Sequence, residues 1–117
     1  MAELRIMKAM DVEAADVVME GAEGVTVRWL ISRGDGAPNF AMRLFEVAPG
    51  GHSPLHVHDW EHEVYILEGI GTLEFEGEKN PFEEGYFIFV PPGREHRFVN
   101  TGAGTLRFLC LVPDDSY

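Results

Sequence analysis

The sequence predicts an all-β protein that folds as one antiparallel β-barrel or jelly roll. Its 117 residues are enough for one domain with its own core but not for two independent cores. Short apolar runs rich in valine, phenylalanine, isoleucine and leucine alternate with clusters of glycine, proline, aspartate and asparagine, which is the pattern of strands joined by turns. No long segment has a helical period, so antiparallel sheets that close against one another are expected.

The strands can be assigned in order along the chain. We expect them at residues 25–32, 40–47, 63–67, 71–76, 86–90, 97–100 and 105–112. The expected breaks lie at 34–38, 48–51, 68–71, 77–81, 91–93 and 101–104. Every break contains glycine, which tolerates the backbone angles that tight turns require.

Residues 25–117 are assigned to the barrel, and residues 1–24 form an N-terminal arm with a strand or a short helix. Residues 10–20 could make that helix, with Asp11 as a weak cap. The stretch 4–10 could pair with its own copy across a two-fold axis, because the edge strands of a small barrel need covering. A homodimer is therefore expected.

Charge and composition exclude several classes of partner. The formal net charge of −11 opposes association with nucleic acid or with an anionic membrane surface. The charged N-terminal stretch lacks the apolar run of an export signal, and no segment is long enough to span a membrane, so a soluble cytoplasmic protein is expected. The single cysteine, Cys110, permits no internal disulfide and agrees with a reducing compartment.

Four of the five histidines have the spacing of a metal site. His56 and His58 alternate, so in an extended segment both rings leave the same face, and His62 follows a short turn. His96 comes after the Pro-Pro-Gly turn at 91–93 and can join the others only in a folded sheet. Imidazole is the commonest ligand of divalent transition metals in proteins, so these four residues are the predicted ligands.

These residues resemble the two motifs of the cupin family. The first family motif is Gly, His, His, Glu, Gly and the second is Gly, Pro, Gly, His, Asn. This chain matches them with Gly50, His56, His58, His62 and Gly69, and with Gly85, Pro91, Gly93, His96 and Asn100. The resemblance covers residues 40–112 and extends to small single-domain cupins that hold manganese with four histidines.

The chain departs from the common motif at His62, where the family usually has glutamate. Four neutral imidazoles leave a divalent ion its full charge and make it a stronger Lewis acid than three imidazoles and a carboxylate would. Glu63 is the rival ligand, but side chains alternate along a strand, so His62 and Glu63 cannot both face one ion. The spacing to Gly69 favours His62.

The resemblance favours manganese or iron as the metal, with zinc, nickel and copper also compatible with nitrogen ligands. Tetrahedral zinc with four histidines would be a closed structural site. Octahedral manganese or iron would keep two positions open for dioxygen, water or a substrate. His52 is interpreted as a surface residue, and Asn100 as a former of structural hydrogen bonds near a turn.

Four further residues are candidates for the wall of a pocket. Strict alternation from 105 to 112 places Phe108 and Cys110 on one side and Arg107 on the other, and an unpaired arginine is costly to bury. Cys110 is then a small core residue or a pocket residue. Arg43 is either a solvated charge or an anion clamp, and Phe45 shares its face.

Three functions remain open at this point, and the sequence leaves it uncertain whether the protein is an enzyme. The first, which the metal site favours, is a metal-dependent dioxygenase or related oxidoreductase acting on a small organic substrate. The second is a module that binds a metal or a small ligand without turnover. The third is an isomerase or lyase for a sugar or keto acid, in which the ion polarises a carbonyl.

Overall fold

The computed structural model describes residues 2–117, and Met1, the first residue of the predicted arm, lies outside them. Single-turn 3-10 helices occur at Ala9–Asp11, Arg33–Asp35 and Asp114–Ser116. The strands are β1 (Ala15–Asp16), β2 (Glu23–Ile31), β3 (Phe40–His52), β4 (His62–Glu68), β5 (Ile70–Phe75), β6 (Glu78–Glu83), β7 (Phe87–Val90), β8 (His96–Asn100) and β9 (Leu106–Pro113). All pair antiparallel, which confirms the predicted all-β antiparallel fold.

The helix expected over 10–20 is wrong. That stretch contains the end of one 3-10 turn and the short strand β1, which pairs with β2. The backbone N–H of Val17 donates to Val25 O at 2.9 Å, and the Val17 side chain packs against the core. Pairing with an existing strand satisfies the backbone and buries an apolar side chain, and this outweighs the weak helix propensity of the local residues.

Two expected breaks are also wrong, because 48–51 lies inside β3 and most of 77–81 lies in β6. A Cβ added to Gly51 would lie 2.5 Å from Glu23 O, so glycine there allows close approach of β2 and makes no turn. β6 accepts Pro81 because it is an edge strand, where a missing N–H costs no ladder hydrogen bond.

The long strand β3 connects the parts of the sheet. The strand order is β6-β5-β8-β3-β9-β4-β7, and β2 also pairs with β3. β3 therefore contacts β2, β8 and β9 along its length, and the sheet curls around one core. This curvature brings β4 and β8, which are far apart in sequence, to the same interior.

β9 shows how the alternating pattern builds that interior. Leu106, Phe108, Cys110 and Val112 are all buried, whereas the residues between them are only partly so. The predicted inward face of this strand is confirmed. Arg107 points outward and forms ion pairs with Glu46 and Glu68.

The first part of the arm, residues 5–12, lies against β2. Arg28 holds it by donating to the carbonyls of Met10 and Val12. Leu4 and Ile6 are 90% and 86% exposed, and residues 4–10 form no strand within the described chain. The homodimer expected from this segment stays a prediction. No helix in the described chain is long and apolar enough to span a membrane.

Candidate functional site

Backbone hydrogen bonds between two distant segments bring the histidines together. His56 and His96 form an isolated antiparallel bridge, with N···O distances of 3.3 and 3.1 Å. The N–H of Gly93 donates to His58 O at 2.6 Å, so the Pro-Pro-Gly turn is fixed to the same segment. Backbone hydrogen bonds alone thus attach the segment that carries His56 and His58 to the start of β8.

Three imidazoles converge at this bridge. One nitrogen from each of His56, His58 and His96 lies within 4.8 Å of the other two. The Nε2 atoms of His56 and His58 are 3.0 Å apart. Two donors bound to one ion at about 2.0–2.1 Å stand roughly 3 Å apart when they are adjacent, so this spacing fits a shared metal.

His62 approaches the same group from β4. Its ring centroid lies 5.1 Å from those of His58 and His96. The side chain is 6% exposed, and its Nε2 is buried without a hydrogen-bond partner within the described chain. A buried polar atom without a partner is costly, and a metal ion would satisfy it. Glu63, the rival ligand, is exposed on the other face of the strand.

The outer nitrogens of two rings are held by neighbours. His96 Nδ1 lies 3.0 Å from Arg94 O, and because a carbonyl can only accept, Nδ1 carries the proton and Nε2 is the free acceptor. His62 Nδ1 lies 3.3 Å from Cys110 Sγ. Hydrogen bonds to the outer nitrogen orient metal-binding histidines in many proteins.

The environment of His56, His58 and His62 favours their neutral form. Burial, reinforced by His58, His96 and Arg43, lowers the pKa of His56 to about 4. Burial, reinforced by His96 and Arg43, lowers the pKa of His62 to about 3. Burial is also the main cause of the lowered pKa of His58. Neutral imidazole is the form that binds a metal, so the donor set fits a divalent transition-metal ion at neutral pH.

The histidines face a cavity of about 490 Å³. Its walls are mainly apolar and aromatic, with Val25, Val27, Trp29, Phe45, Trp60 and Phe108 among the lining residues. Trp60 stacks on His58, with ring centroids 4.5 Å apart. Within the described chain, no lining residue has a carboxylate side chain. This volume suits a drug-sized organic molecule.

All four sequence-predicted pocket candidates line this cavity, namely Arg43, Phe45, Phe108 and Cys110. Arg43 is half-buried at this wall, a position that favours its interpretation as an anion clamp over that as a solvated surface charge. Three aromatic residues that line the cavity were not predicted, namely Trp29, Trp60 and Tyr117. Trp29 could have been predicted, because it continues the inward alternation of Val25 and Val27. No sequence pattern marks Trp60 or Tyr117.

The two remaining motif residues have structural surroundings. The side chain of Asn100 is buried and bonds to the backbone of Val47, Gly102 and Gly104, which confirms its predicted structural role. His52 is half-buried beside Ser53 O and does not line the cavity. It is therefore a useful control for the other four histidines.

A curled antiparallel barrel with histidines from two motifs at its interior defines the cupin class of protein. Residues 43–112 match the family described as "Cupin_2: Cupin domain". The chain belongs to the cupin family.

Its relatives have different activities. The oxalate-binding protein of Thermotoga maritima is 34% identical over 99 residues, which are 80% of this chain and 80% of that protein. The solved structure of the polyketide cyclase RemF from Streptomyces resistomycificus has a TM-score of 0.90 at 39% identity, over 96% of this chain and 80% of that one. A glucose-6-phosphate isomerase of Thermococcus gammatolerans is 42% identical over 57 residues, 44% of this chain and 30% of the isomerase.

Proposed function

We propose that this cupin is a metal-dependent enzyme that closes a ring in a large, mainly apolar, carbonyl-bearing substrate. The observation that carries the proposal is the position of the histidine group at the wall of an aromatic cavity of about 490 Å³. Similarity to a polyketide cyclase over 96% of the chain supports the same reaction class.

His56, His58, His62 and His96 would hold the metal, and we propose manganese or iron as the ion. When bound, such an ion supplies Lewis acidity to a substrate carbonyl. The buried Nε2 of His62 without a partner and the 3.0 Å spacing of the other two Nε2 atoms support this assignment.

Metal content tests the ligand set. We expect protein purified without added metal to contain a divalent ion by elemental analysis. Replacing any one of the four histidines by alanine should weaken binding by at least about tenfold, because each contributes a donor to the shell. His52→Ala is the matched control and should bind as the wild type does. Undiminished binding in His62→Ala would remove that residue from the shell.

The cavity walls explain how a flexible chain would be prepared for ring closure. Phe45 and Phe108 stack with centroids 5.4 Å apart, and Phe108 also stacks on Phe98 at 4.7 Å. These rings form a continuous apolar surface, against which a folded polyketone can lie with its reacting carbons close together. Holding reacting groups in contact lowers the entropic part of the barrier, and the apolar walls exclude water.

The product distinguishes ring closure from other chemistry. The purified protein would be incubated with a linear polyketone thioester, with and without a chelator, and the products analysed by mass spectrometry. We expect loss of one water and a new ring only in the metal-containing sample. A wild type that retains metal but leaves substrates of several chain lengths unchanged would favour a binding module instead.

A second candidate is an oxygenase or related oxidoreductase. Within the described chain no carboxylate side chain lines the cavity, so in ring closure a bound water molecule would have to accept the proton removed from carbon, which leaves in the water that is lost. An oxidation would not need this proton transfer. In the same assay this function would add one or two oxygen atoms, and the reaction would require air.

A further inference from the structure

Arg43 is the permanently charged side chain in an otherwise neutral cavity wall. It lies on β3 opposite Cys110, and within residues 2–117 no other arginine or lysine lines the cavity. Its guanidinium lies 4.8 Å from the ring centroid of Phe45 and 5.5 Å from that of Trp29. The two aromatic rings therefore hold the planar cation at the cavity surface.

This cation has an incomplete set of partners. One terminal nitrogen donates to Cys110 Sγ at 3.1 Å, and Nε is buried without a hydrogen-bond partner in the described chain. Arg43 forms none of the ion pairs found among residues 2–117, whereas Arg28, Arg97 and Arg107 each contact a carboxylate. Sulfur is a weak acceptor, so this contact compensates little of the cost of desolvation.

The cation also lies beside the histidine group. One terminal nitrogen of its guanidinium and His62 Nδ1 contact the same atom, Cys110 Sγ, at 3.1 and 3.3 Å. An anionic group bound between Arg43 and the histidines would thus interact with both. The net charge of −11 repels anions in general, so any anion preference of the cavity has to come from a local contact.

We propose that Arg43 binds an anionic oxygen of the substrate, so that the cavity selects mainly apolar molecules that carry a carboxylate or an enolate. The guanidinium fork matches such oxygens, because one of its terminal nitrogens is bonded only to a weak sulfur acceptor and Nε has no partner within the described chain. This inference rests on the proposed function, because it names the substrate class of the same cavity.

The test compares two ligands of equal shape. 2-Naphthoate and 2-naphthamide have the same ring system, but only the first is charged at neutral pH. Calorimetric titration with chelator present removes any contribution of a metal. We expect the wild type to bind 2-naphthoate at least about tenfold more tightly than 2-naphthamide, the usual range for a hydrogen bond to a charged group.

Two variants test whether Arg43 causes the preference for 2-naphthoate over 2-naphthamide. Arg43→Met removes the charge and keeps the apolar stem, so both probes should bind with equal affinity, at about the wild-type affinity for the amide. Arg97→Met is the matched control: it removes an arginine that is paired with Glu74, and the preference should persist. Should Arg43→Met fail to fold, Arg43→Gln carries the same expectation.

Three results would overturn the assignment: no preference in the wild type, no measurable binding of 2-naphthoate, or a preference that survives in Arg43→Met. Because these titrations are made without metal, their failure is distinct from failure of the metal centre, which shows in metal content. It is also distinct from failure of the ring-closing reaction, which shows in the product analysis.

Discussion

Removing the side chain of Asn100 should destabilise the barrel by about 3 kcal/mol. Asn100 is 3% exposed. Its Nδ2 donates to Val47 O and Gly104 O, both at 2.8 Å, and its Oδ1 accepts from the Gly102 N–H at 2.9 Å. These three hydrogen bonds connect the end of β8 to β3 and to the turn that follows.

The expected loss of stability depends on whether water can reach each hydrogen-bond partner that Asn100 leaves behind. Val47 is fully buried, so its carbonyl would lose this bond without replacement, at a cost of about 1.5–2 kcal/mol. Gly104 is exposed and Gly102 half-buried, so water can replace those bonds at a net cost of about 0.5 kcal/mol each. Asn100→Asp keeps the shape but removes both donations, and it should cost at least as much.

Urea unfolding followed by tryptophan fluorescence in the presence of a chelator measures this difference without a contribution from bound metal. Asn80→Ala is the matched control. The Asn80 amide is bonded to Leu73 O at 3.2 Å and Glu78 O at 3.4 Å near the surface, and its loss should cost no more than about 0.5 kcal/mol. An Asn100→Ala variant as stable as Asn80→Ala would refute the reasoning.

Changes of pH, of close packing and of charge pairing should each alter the stability of the barrel. The pKa is about 4 for His56 and about 3 for His62 in the folded protein, below the ordinary value of 6.5. Between pH 6.5 and pH 4 the unfolded chain therefore binds more protons than the folded protein does. Metal-free protein should therefore lose on the order of 3 kcal/mol as pH falls from about 6.5 to about 4, with solvent screening allowed for, and replacing both residues by asparagine should remove this part of the urea-midpoint shift. Gly51→Ala should cost about 1–3 kcal/mol in urea unfolding, since its Cβ would meet Glu23 O, whereas Gly104→Ala meets nothing within 4 Å and should be nearly neutral. Glu46→Gln should cost about 1–2 kcal/mol, because the carboxylate accepts from two arginines, and high salt should reduce the loss.

The order of the amino acids is enough to predict the fold class, most of the strands and the histidines that line the cavity. Strands of period two such as β9 were predicted to within one residue at each end, because one buried face imposes the alternation. His56, His58, His62 and His96 were recognised because spacing in two motifs carries the information. The sequence also favoured His62 over Glu63, and the structure turns the first inward and the second outward.

Features that depend on partners distant in the sequence become visible in the folded chain. Residues 48–51 are part of β3 and not a turn because β2 lies beside them. Residues 15–16 form a strand and not part of a helix because they pair with the free edge of β2. Likewise, Arg43 has the sequence context of either a surface charge or a pocket residue. Its position in the cavity follows from the pairing of β3 with β9, a contact between residues 67 apart in the chain. Local propensity cannot predict such contacts, because they stabilise the protein only when distant strands have paired in the curled sheet.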